Sequence, residues 1–364
     1  MLAVAAVVLL AGSAAAAPSR PSGRVAYVTG GKLVLLDVAT GRSRVLVARR
    51  VNPPVRFSPD GRYLAYGAGE TFVVATTGQP RPLQLPAHAW AWAPRGHRLA
   101  IAQHDGSVAV VEPGGKTETV APAGWDPSSF AWSPDGRTLA LGRLQPAEVA
   151  VWRGGDVTRV AGPFSDDVPP EIAAVAPDGR TVFWWRRPSA STAADGLPLR
   201  TSAATLPPTL LYHDWVAWCG GRLYVAAGID RYATHGKRIV ALAAPSWRPR
   251  DVSRDARLSW VAPTCAGGRV LVSAGRNFVE RHFGLERRSV YVLSPRRRLT
   301  TPPAGATDES PRAAGDEVLF VRVRAFVARL ELLHGGRVRE LAKLGRSIGY
   351  YGHYDWASSF DWAR

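Results

Sequence analysis

Short runs of predominantly apolar residues recur along the whole chain, for example at residues 63–66, 138–141 and 182–185. These runs are rich in aromatic and β-branched residues and are typical of strands, in which side chains alternate between the two faces of a sheet with a period of two. No stretch after the first seventeen residues keeps a helical period. The pattern therefore predicts an all-β protein.

A four-residue turn separates pairs of these runs. Ser58-Pro59-Asp60-Gly61 recurs as Ser133-Pro134-Asp135-Gly136 and, with one change, as Ala176-Pro177-Asp178-Gly179. Proline presets φ, aspartate bonds local backbone amides and glycine accepts positive φ, so the motif predicts a hairpin connector. Looser copies are Ala93–Gly96, Cys219–Gly221, Cys265–Gly268 and Ala314–Asp316.

The spacing of these turns indicates the architecture. Successive equivalent glycines, from Gly61 to Gly268, are 35, 40, 43, 42 and 47 residues apart, close to the ~40–50 residues that one four-stranded propeller blade needs. Eight strand sets can be counted, with seven as the alternative. They begin near Val25, Tyr63, Leu99, Leu139, Val182, Leu223, Val270 and Val318.

The first set lacks an inner strand, because Arg24 directly follows a linker rich in proline and serine. The segment Trp356–Trp362 has the aromatic alternation of the other inner strands. Pairing this segment with the first set would close the ring and remove its open edges. We therefore predict a closed β-propeller of four-stranded blades, one domain over residues 24–364, closed by the C-terminal strand.

The run Phe130–Ala140 reads aromatic-x-x-Ser-Pro-Asp-Gly-Arg-x-apolar-Ala. This pattern resembles the TolB-like, or WD-like, β-propeller repeat, and it covers nearly all of the chain after Arg24. The resemblance implies a propeller that takes part in protein interactions in the cell envelope. The six-bladed ring and separate small domain of TolB itself are not matched by this number of repeats.

Residues 1–17 carry no charge and contain an apolar run, Leu2–Ala11, before Pro18. Such a segment predicts a signal peptide, cut after Ala16, followed by a linker over residues 18–23. The alternative is an uncleaved anchor, although a span needs ~20 apolar residues. A cleaved signal predicts a secreted or cell-envelope protein with no membrane span.

The two cysteines, Cys219 and Cys265, occupy nearly equivalent turns of neighbouring repeats. These turns bring neighbouring inner strands close and an exported protein folds in an oxidising compartment, which together favour a disulfide between two blades. Two buried thiols are the alternative.

The formal net charge is +17, and the basic residues comprise 42 arginines and four lysines. A positive field concentrates anionic partners such as wall polymers or lipid head groups. The densest basic patch comprises Arg287, Arg288, Arg296, Arg297 and Arg298. Solvated strand faces and loops are the alternative explanation, and nucleic acid does not suit an exported protein.

The most unusual composition lies near the end of the chain, where aromatic and polar residues alternate. Its candidate ligand-binding residues are Tyr350, Tyr351, His353, Tyr354 and Asp355. Aromatic faces stack on sugars and the polar groups orient a ligand, but the same residues also suit the approach to a closing strand. Trp125 and Trp215 are further candidates for a channel mouth, whereas Trp92, Trp132 and Trp218 share one repeat position and predict packing between blades.

Signals for chemistry are weak. Residues 345–349 match G-x-S-x-G, but a nucleophile elbow needs a following helix and the sequence there is strand-like. The histidines are scattered without metal-ligand spacing, and Asp308-Glu309 is expected in a loop with no more than a possible calcium role. We therefore predict no catalytic residue, no metal and no cofactor.

These features favour an exported, non-catalytic and monomeric propeller that binds an envelope protein or an anionic envelope polymer. Its contact surface is expected in the long loops at residues 189–199, 230–238 and 276–288. The alternative is a propeller hydrolase or lyase acting on envelope glycans from the central pocket. A third possibility is a ring that stabilises a neighbouring protein. The enzymatic alternative predicts clustered carboxylates at the channel. The binding hypothesis predicts arginines and aromatic residues there without paired acids.

Overall fold

The computed structural model describes residues 21–67, 69–186, 195–206, 210–228, 230–253, 255–278, 287–346 and 356–364, apart from the side chains at 210, 213 and 214. These residues form eight antiparallel sheets arranged as the blades of one ring. The predicted eight-bladed propeller is confirmed. Within the described ranges, the structure contains no helix of the length and apolarity that crossing a membrane requires.

The first four blades each contain four strands. Blade 1 contains β1 (Arg24–Thr29), β2 (Lys32–Asp37), β3 (Ser43–Val47) and, innermost, β32 (Phe360–Ala363). Blade 2 contains β4 (Asn52–Phe57), β5 (Tyr63–Gly67), β6 (Thr71–Ala75) and β7 (Leu83–Leu85). Blade 3 contains β8 (Ala87–Trp92), β9 (Leu99–Gln103), β10 (Val108–Val111) and β11 (Thr117–Ala121). Blade 4 contains β12 (Pro127–Trp132), β13 (Leu139–Arg143), β14 (Glu148–Arg153) and β15 (Asp156–Ala161).

The later blades are less regular. Blade 5 contains β16 (Pro170–Val175), β17 (Val182–Arg186) and β19 (Arg200–Thr201). Blade 6 contains β18 (Leu197–Pro198), β20 (Leu210–Cys219), β21 (Arg222–Ala227), β22 (Arg238–Leu242) and β23 (Arg250–Asp251). Blade 7 contains β24 (Leu258–Ala266), β25 (Arg269–Arg276), β26 (Arg288–Val292) and β27 (Arg297–Arg298). Blade 8 contains β28 (Ala306–Ala314), β29 (Glu317–Arg324), β30 (Val327–His334) and β31 (Arg337–Arg346).

Blades 5 and 6 depart from the predicted four strands because one segment is shared between them. Leu197 pairs with Leu211 on the innermost strand of blade 6, and three residues later Arg200 pairs with Trp184 of blade 5. The described residues therefore give blade 5 three strands and blade 6 five. The shared segment ties the two sheets together through backbone hydrogen bonds.

The Ser-Pro-Asp-Gly turns connect the innermost strand to the second strand, as the sequence predicts. In blade 4, the Ser133 hydroxyl donates to Asp135 Oδ1 at 2.6 Å, and this oxygen also accepts from the Arg137 amide at 3.0 Å. Gly136 has φ near 73°, a conformation that glycine adopts without strain. These hydrogen bonds lower the pKa of Asp135, which keeps the turn's acceptor charged over the physiological range.

Apolar packing between blades builds the core. The described residues form eight buried clusters, and each one joins two neighbouring blades. On β13, Leu139 and Leu141 pack towards blade 3, while Ala140 packs towards blade 5. The period of two thus reflects a sheet buried on both faces, with successive side chains entering opposite junctions.

Tryptophans on the innermost strands reinforce these junctions. Trp92 Nε1 donates to the Arg56 carbonyl of blade 2 at 3.1 Å, and Trp132 Nε1 donates to the Ala91 carbonyl of blade 3 at 3.1 Å. Trp218 packs edge-on against Phe183 of blade 5. All three tryptophans therefore contact the preceding blade, as their common repeat position predicts.

The ring closes through the C-terminal strand, as predicted. β32 pairs antiparallel with β1, from Arg24 opposite Ala363 to Tyr27 opposite Phe360. Phe360 is fully buried in the cluster between blades 8 and 1. On the other side, Asp361 Oδ2 accepts from the Phe57 amide of blade 2 at 2.8 Å. The strand thus joins blades 8, 1 and 2.

A disulfide joins Cys219 of blade 6 to Cys265 of blade 7, with the two Cα atoms 5.3 Å apart. Each cysteine lies at or near the end of an innermost strand, just before a glycine-containing turn. The bond therefore links the two blades covalently at the turns that connect their first and second strands.

We expect Phe360→Ala to lower the free energy of unfolding by about 3–5 kcal/mol, because the buried ring fills the junction that closes the propeller. Phe326→Ala is the matched control, since Phe326 is 44% exposed. Urea denaturation followed by tryptophan fluorescence measures both variants. Similar losses for the two variants would contradict a special role for the closing strand.

Candidate functional site

The centre of the ring contains a cavity of about 410 Å³. The innermost strands of blades 2, 6, 7 and 8 line it, together with the residues that lead into β32. Its polar and aromatic lining comprises Trp215, Thr264, Ser310, Ser358, Glu309 and the arginines 56, 288 and 312. The cavity is therefore predominantly basic.

Two equivalent β-bulges shape one wall of the cavity. Ala262 in β24 and Ser310 in β28 have positive φ angles of 52° and 51°, and each precedes a proline. The strand register shifts at both positions. Bulges redirect side chains and often occur beside binding sites, and here the bulge residues themselves line the cavity.

A buried ion pair lies at the cavity. Arg288 Nη1 donates to Glu309 Oε1 at 3.0 Å, and the same oxygen accepts from the Thr307 hydroxyl at 3.0 Å. The side chains of Arg288 and Glu309 are only 1% and 4% exposed. The expectation that Arg288 belongs to a surface basic patch is wrong, because its guanidinium is buried against this carboxylate.

The expectation that Asp308-Glu309 lies in a loop is also wrong. Both residues belong to β28, and Asp308 accepts two hydrogen bonds from Arg322 on β29, at 2.7 and 2.9 Å. Arg322 thus balances the charge of Asp308, as Arg288 balances that of Glu309. The part of the chain that the structure describes holds no grouping of three or more His, Cys, Asp or Glu residues suited to a metal ion.

Two further arginines are held by the closing strand and its approach. Arg56 Nη1 donates to the carbonyls of Val55 at 2.8 Å and of Ser358 and Phe360 at 3.3 Å. Arg312 Nη2 donates to the Ala357 carbonyl at 2.9 Å, and its Nη1 lies 3.6 Å from Asp361 Oδ1. These contacts fix both guanidiniums beside the cavity.

Sequence reasoning missed Arg56 and Arg312, although the repeats contain a signal for them. In the strand register, both residues occupy the inner-strand position that holds alanine in blades 3 to 6, namely Ala91, Ala131, Ala174 and Ala217. Blade 7 has Thr264 there, and blade 1 has Asp361. Aligning the repeats by register would have identified charged residues in three consecutive blades.

The two tryptophan candidates have different positions. Trp215 lines the cavity, with its ring 5.7 Å from that of Tyr212. Trp125 is 7% exposed and packs in the cluster between blades 3 and 4, with Arg143 over its ring. Tyr350, Tyr351, His353, Tyr354 and Asp355 lie outside the described residues, as does most of the G-x-S-x-G match.

The remaining basic-patch residues are exposed. Arg287 donates to the Pro302 carbonyl at 2.8 and 3.0 Å, and Arg296 donates to Asp255 at 3.0 Å. Arg297 and Arg298 form β27 and line a second groove, between blades 7 and 8. The five arginines of the predicted patch therefore do not form one surface.

Lys237 anchors the predicted contact loop at residues 230–238. Its buried ammonium donates to the carbonyls of Asp230 at 2.7 Å, Tyr232 at 2.6 Å and His235 at 3.1 Å. It also contacts Asp230 Oδ1 at 3.2 Å. Burial lowers the pKa of Lys237 to about 8, and this outweighs the opposite effect of Asp230.

No protein-family model matches the sequence, and no curated protein matches it. Among solved structures, the chain is similar to a prolyl endopeptidase, with 13% identity and a TM-score of 0.52 over 90% of this chain and 51% of that one. It is similar to the tricorn protease, with 11% identity and a TM-score of 0.50 over 89% of this chain and 38% of that one. It is also similar to a protein from Agrobacterium tumefaciens assigned as TolB, with 14% identity and a TM-score of 0.42 over 94% of this chain and 98% of that one. At these identities the first two similarities support the propeller fold alone, and the chain spans about half or less of each peptidase.

We expect the stability of the protein to rise with pH between about 8 and 10, because the unfolded chain keeps Lys237 protonated up to its ordinary pKa near 10.5. The slope from this residue is at most about 1.4 kcal/mol per pH unit. Urea denaturation at several pH values measures it. Lys237→Met should flatten the slope, whereas Lys343→Met, at an exposed position, should preserve it. Equal slopes in the wild type and Lys237→Met would contradict the assignment.

Proposed function

We propose that this protein is an exported, non-catalytic propeller that binds an anionic group of an envelope protein or envelope ligand in its central cavity. The observation that carries the proposal is the lining of that cavity. Arg56, Arg288 and Arg312 lie around it with Trp215, and Glu309 is the single carboxylate among the described lining residues.

The physical basis is arginine chemistry in a rigid frame. Guanidinium groups recognise carboxylate and phosphate through directed hydrogen bonds. Backbone carbonyls already hold Arg56 and Arg312, so little side-chain entropy is lost when an anion binds. The indole of Trp215 adds an apolar face against which the body of a ligand can pack. The net charge of +17 attracts anionic partners to the ring.

The rival function, that of a hydrolase or lyase acting on envelope glycans, receives less support from the same lining. Most glycoside hydrolases use two carboxyl groups about 5–10 Å apart. The described lining offers Glu309 only, and its Oε1 accepts hydrogen bonds from Arg288 and Thr307. This arrangement favours binding over acid–base chemistry.

Export and an envelope location belong to the same proposal. They are supported by the uncharged apolar segment at residues 1–17 and by the two cysteines, which are joined by a disulfide. Disulfides persist in oxidising compartments and are rare in the cytosol.

The test measures citrate binding by isothermal titration calorimetry at low ionic strength, with citrate as the anionic probe. Arg312→Met should weaken citrate binding about tenfold or more, because it removes one directed donor pair. Arg81→Met is the control, since Arg81 is exposed and lies in blade 2 outside the cavity lining.

Unchanged citrate affinity in folded Arg312→Met would contradict the proposal. Turnover of peptidoglycan fragments that Glu309→Gln abolishes would instead support the enzymatic rival. Thermal melting of each variant establishes that the ring is intact.

A further inference from the structure

Another basic groove lies between blades 6 and 7, away from the central cavity and from the groove between blades 7 and 8. It has a volume of about 780 Å³ and is lined by the start of β21, the turn between β22 and β23, the start of β25 and the turn between β26 and β27. In an antiparallel meander, these chain segments all lie on the face of the ring that carries the Ser-Pro-Asp-Gly turns. The groove therefore opens on that face.

The charged side chains that line the groove, among those the structure describes, are all basic. Arg222, Arg248, Arg250 and Arg296 line it, without any acidic residue among the lining side chains that the structure describes. Arg296 donates to Asp255. The other three arginines are exposed, and within the described part of the chain none of their side chains has an ion pair or hydrogen bond. Three guanidiniums thus face solvent with their donors unused by the residues that the structure describes.

Apolar and hydroxyl groups complete the lining. Val270 and Leu293 are buried at its base, Tyr224 and Val252 are half-buried, and Ser246, Ser253 and Ser294 contribute hydroxyl groups. An anionic polymer without apolar groups would leave this base uncovered. An acidic peptide can cover it with apolar side chains while its carboxylates meet the arginines.

A disulfide and a buried tryptophan hold the walls of the groove. The disulfide between Cys219 and Cys265 joins the turns that lead to Arg222 on one wall and to Gly268 on the other. Trp247, which is 3% exposed, packs edge-on against Phe183 and anchors the turn that carries Arg248. The arginines are thus mounted on a frame that needs little ordering when a ligand binds.

We infer that the groove between blades 6 and 7 binds an acidic peptide segment of a partner protein, with Arg222, Arg248 and Arg250 meeting its carboxylates. This surface is separate from the central cavity. The two proposals can fail independently, because no groove arginine lines that cavity.

The experiment measures fluorescence anisotropy of a short labelled peptide whose glutamates flank an apolar Leu-Val-Leu centre. The comparison probes are an all-glutamate peptide of the same length and inorganic polyphosphate. We expect the apolar-centred peptide to bind more tightly than either probe. The double variant Arg248→Glu/Arg250→Glu should weaken its binding about tenfold or more.

The matched control is Arg81→Glu/Arg153→Glu, which changes the net charge equally at exposed positions in blades 2 and 4. This control should retain peptide binding, and both double variants should keep the wild-type melting temperature. Equal weakening by the two double variants would overturn the proposal in favour of non-specific charge attraction. Tighter binding of polyphosphate than of the apolar-centred peptide would also overturn it, because the apolar base would then play no part.

Discussion

Burial of each sheet against both of its neighbours is the interaction on which the rest of this structure depends. A blade has two apolar faces, and it can remove neither of them from water by itself. Eight inter-blade clusters accomplish this burial. The constraint requires a closed ring, because an open array would expose one face at each end. Phe360 and the strand that carries it satisfy this requirement between blades 8 and 1.

Closure also shapes the central cavity. The strand that seals the ring supplies a carbonyl oxygen to Arg56, and the residues that lead into this strand supply one to Arg312. In blades 3 to 6 the equivalent inner-strand position holds alanine, so charge is concentrated where blades 8, 1 and 2 meet. The basic character of the centre is thus linked to the same contacts that hold the ring together. Substitutions that disturb closure should therefore also affect the central cavity.

Among the residues that the structure describes, the blades that have lost the Ser-Pro-Asp-Gly turn contain most of the buried charge. Lys237, the Arg288–Glu309 pair and the Arg322–Asp308 pair all lie in blades 6 to 8. Burying such charges is costly, and paired charges often add little net stability. What they provide here is orientation: Lys237 anchors a loop, and Arg288 holds Glu309 beside the central cavity. The disulfide lies in the same region and links two of these irregular blades.

The sequence by itself determined the repeat and the closing strand and favoured eight blades over seven, because these depend on local turn chemistry and on a period of two. Ser133, Asp135 and Gly136 act within a single hairpin, so their pattern can be recognised without any knowledge of the ring. Only the tertiary structure decided which charged residues meet. Arg288 and Glu309 come from strands of different blades, and Asp308-Glu309, read alone, suggested a loop. The basic groove between blades 6 and 7 likewise depends on how these two blades pack side by side. Contacts of this kind join residues from separate repeats, so no local pattern in the sequence specifies them.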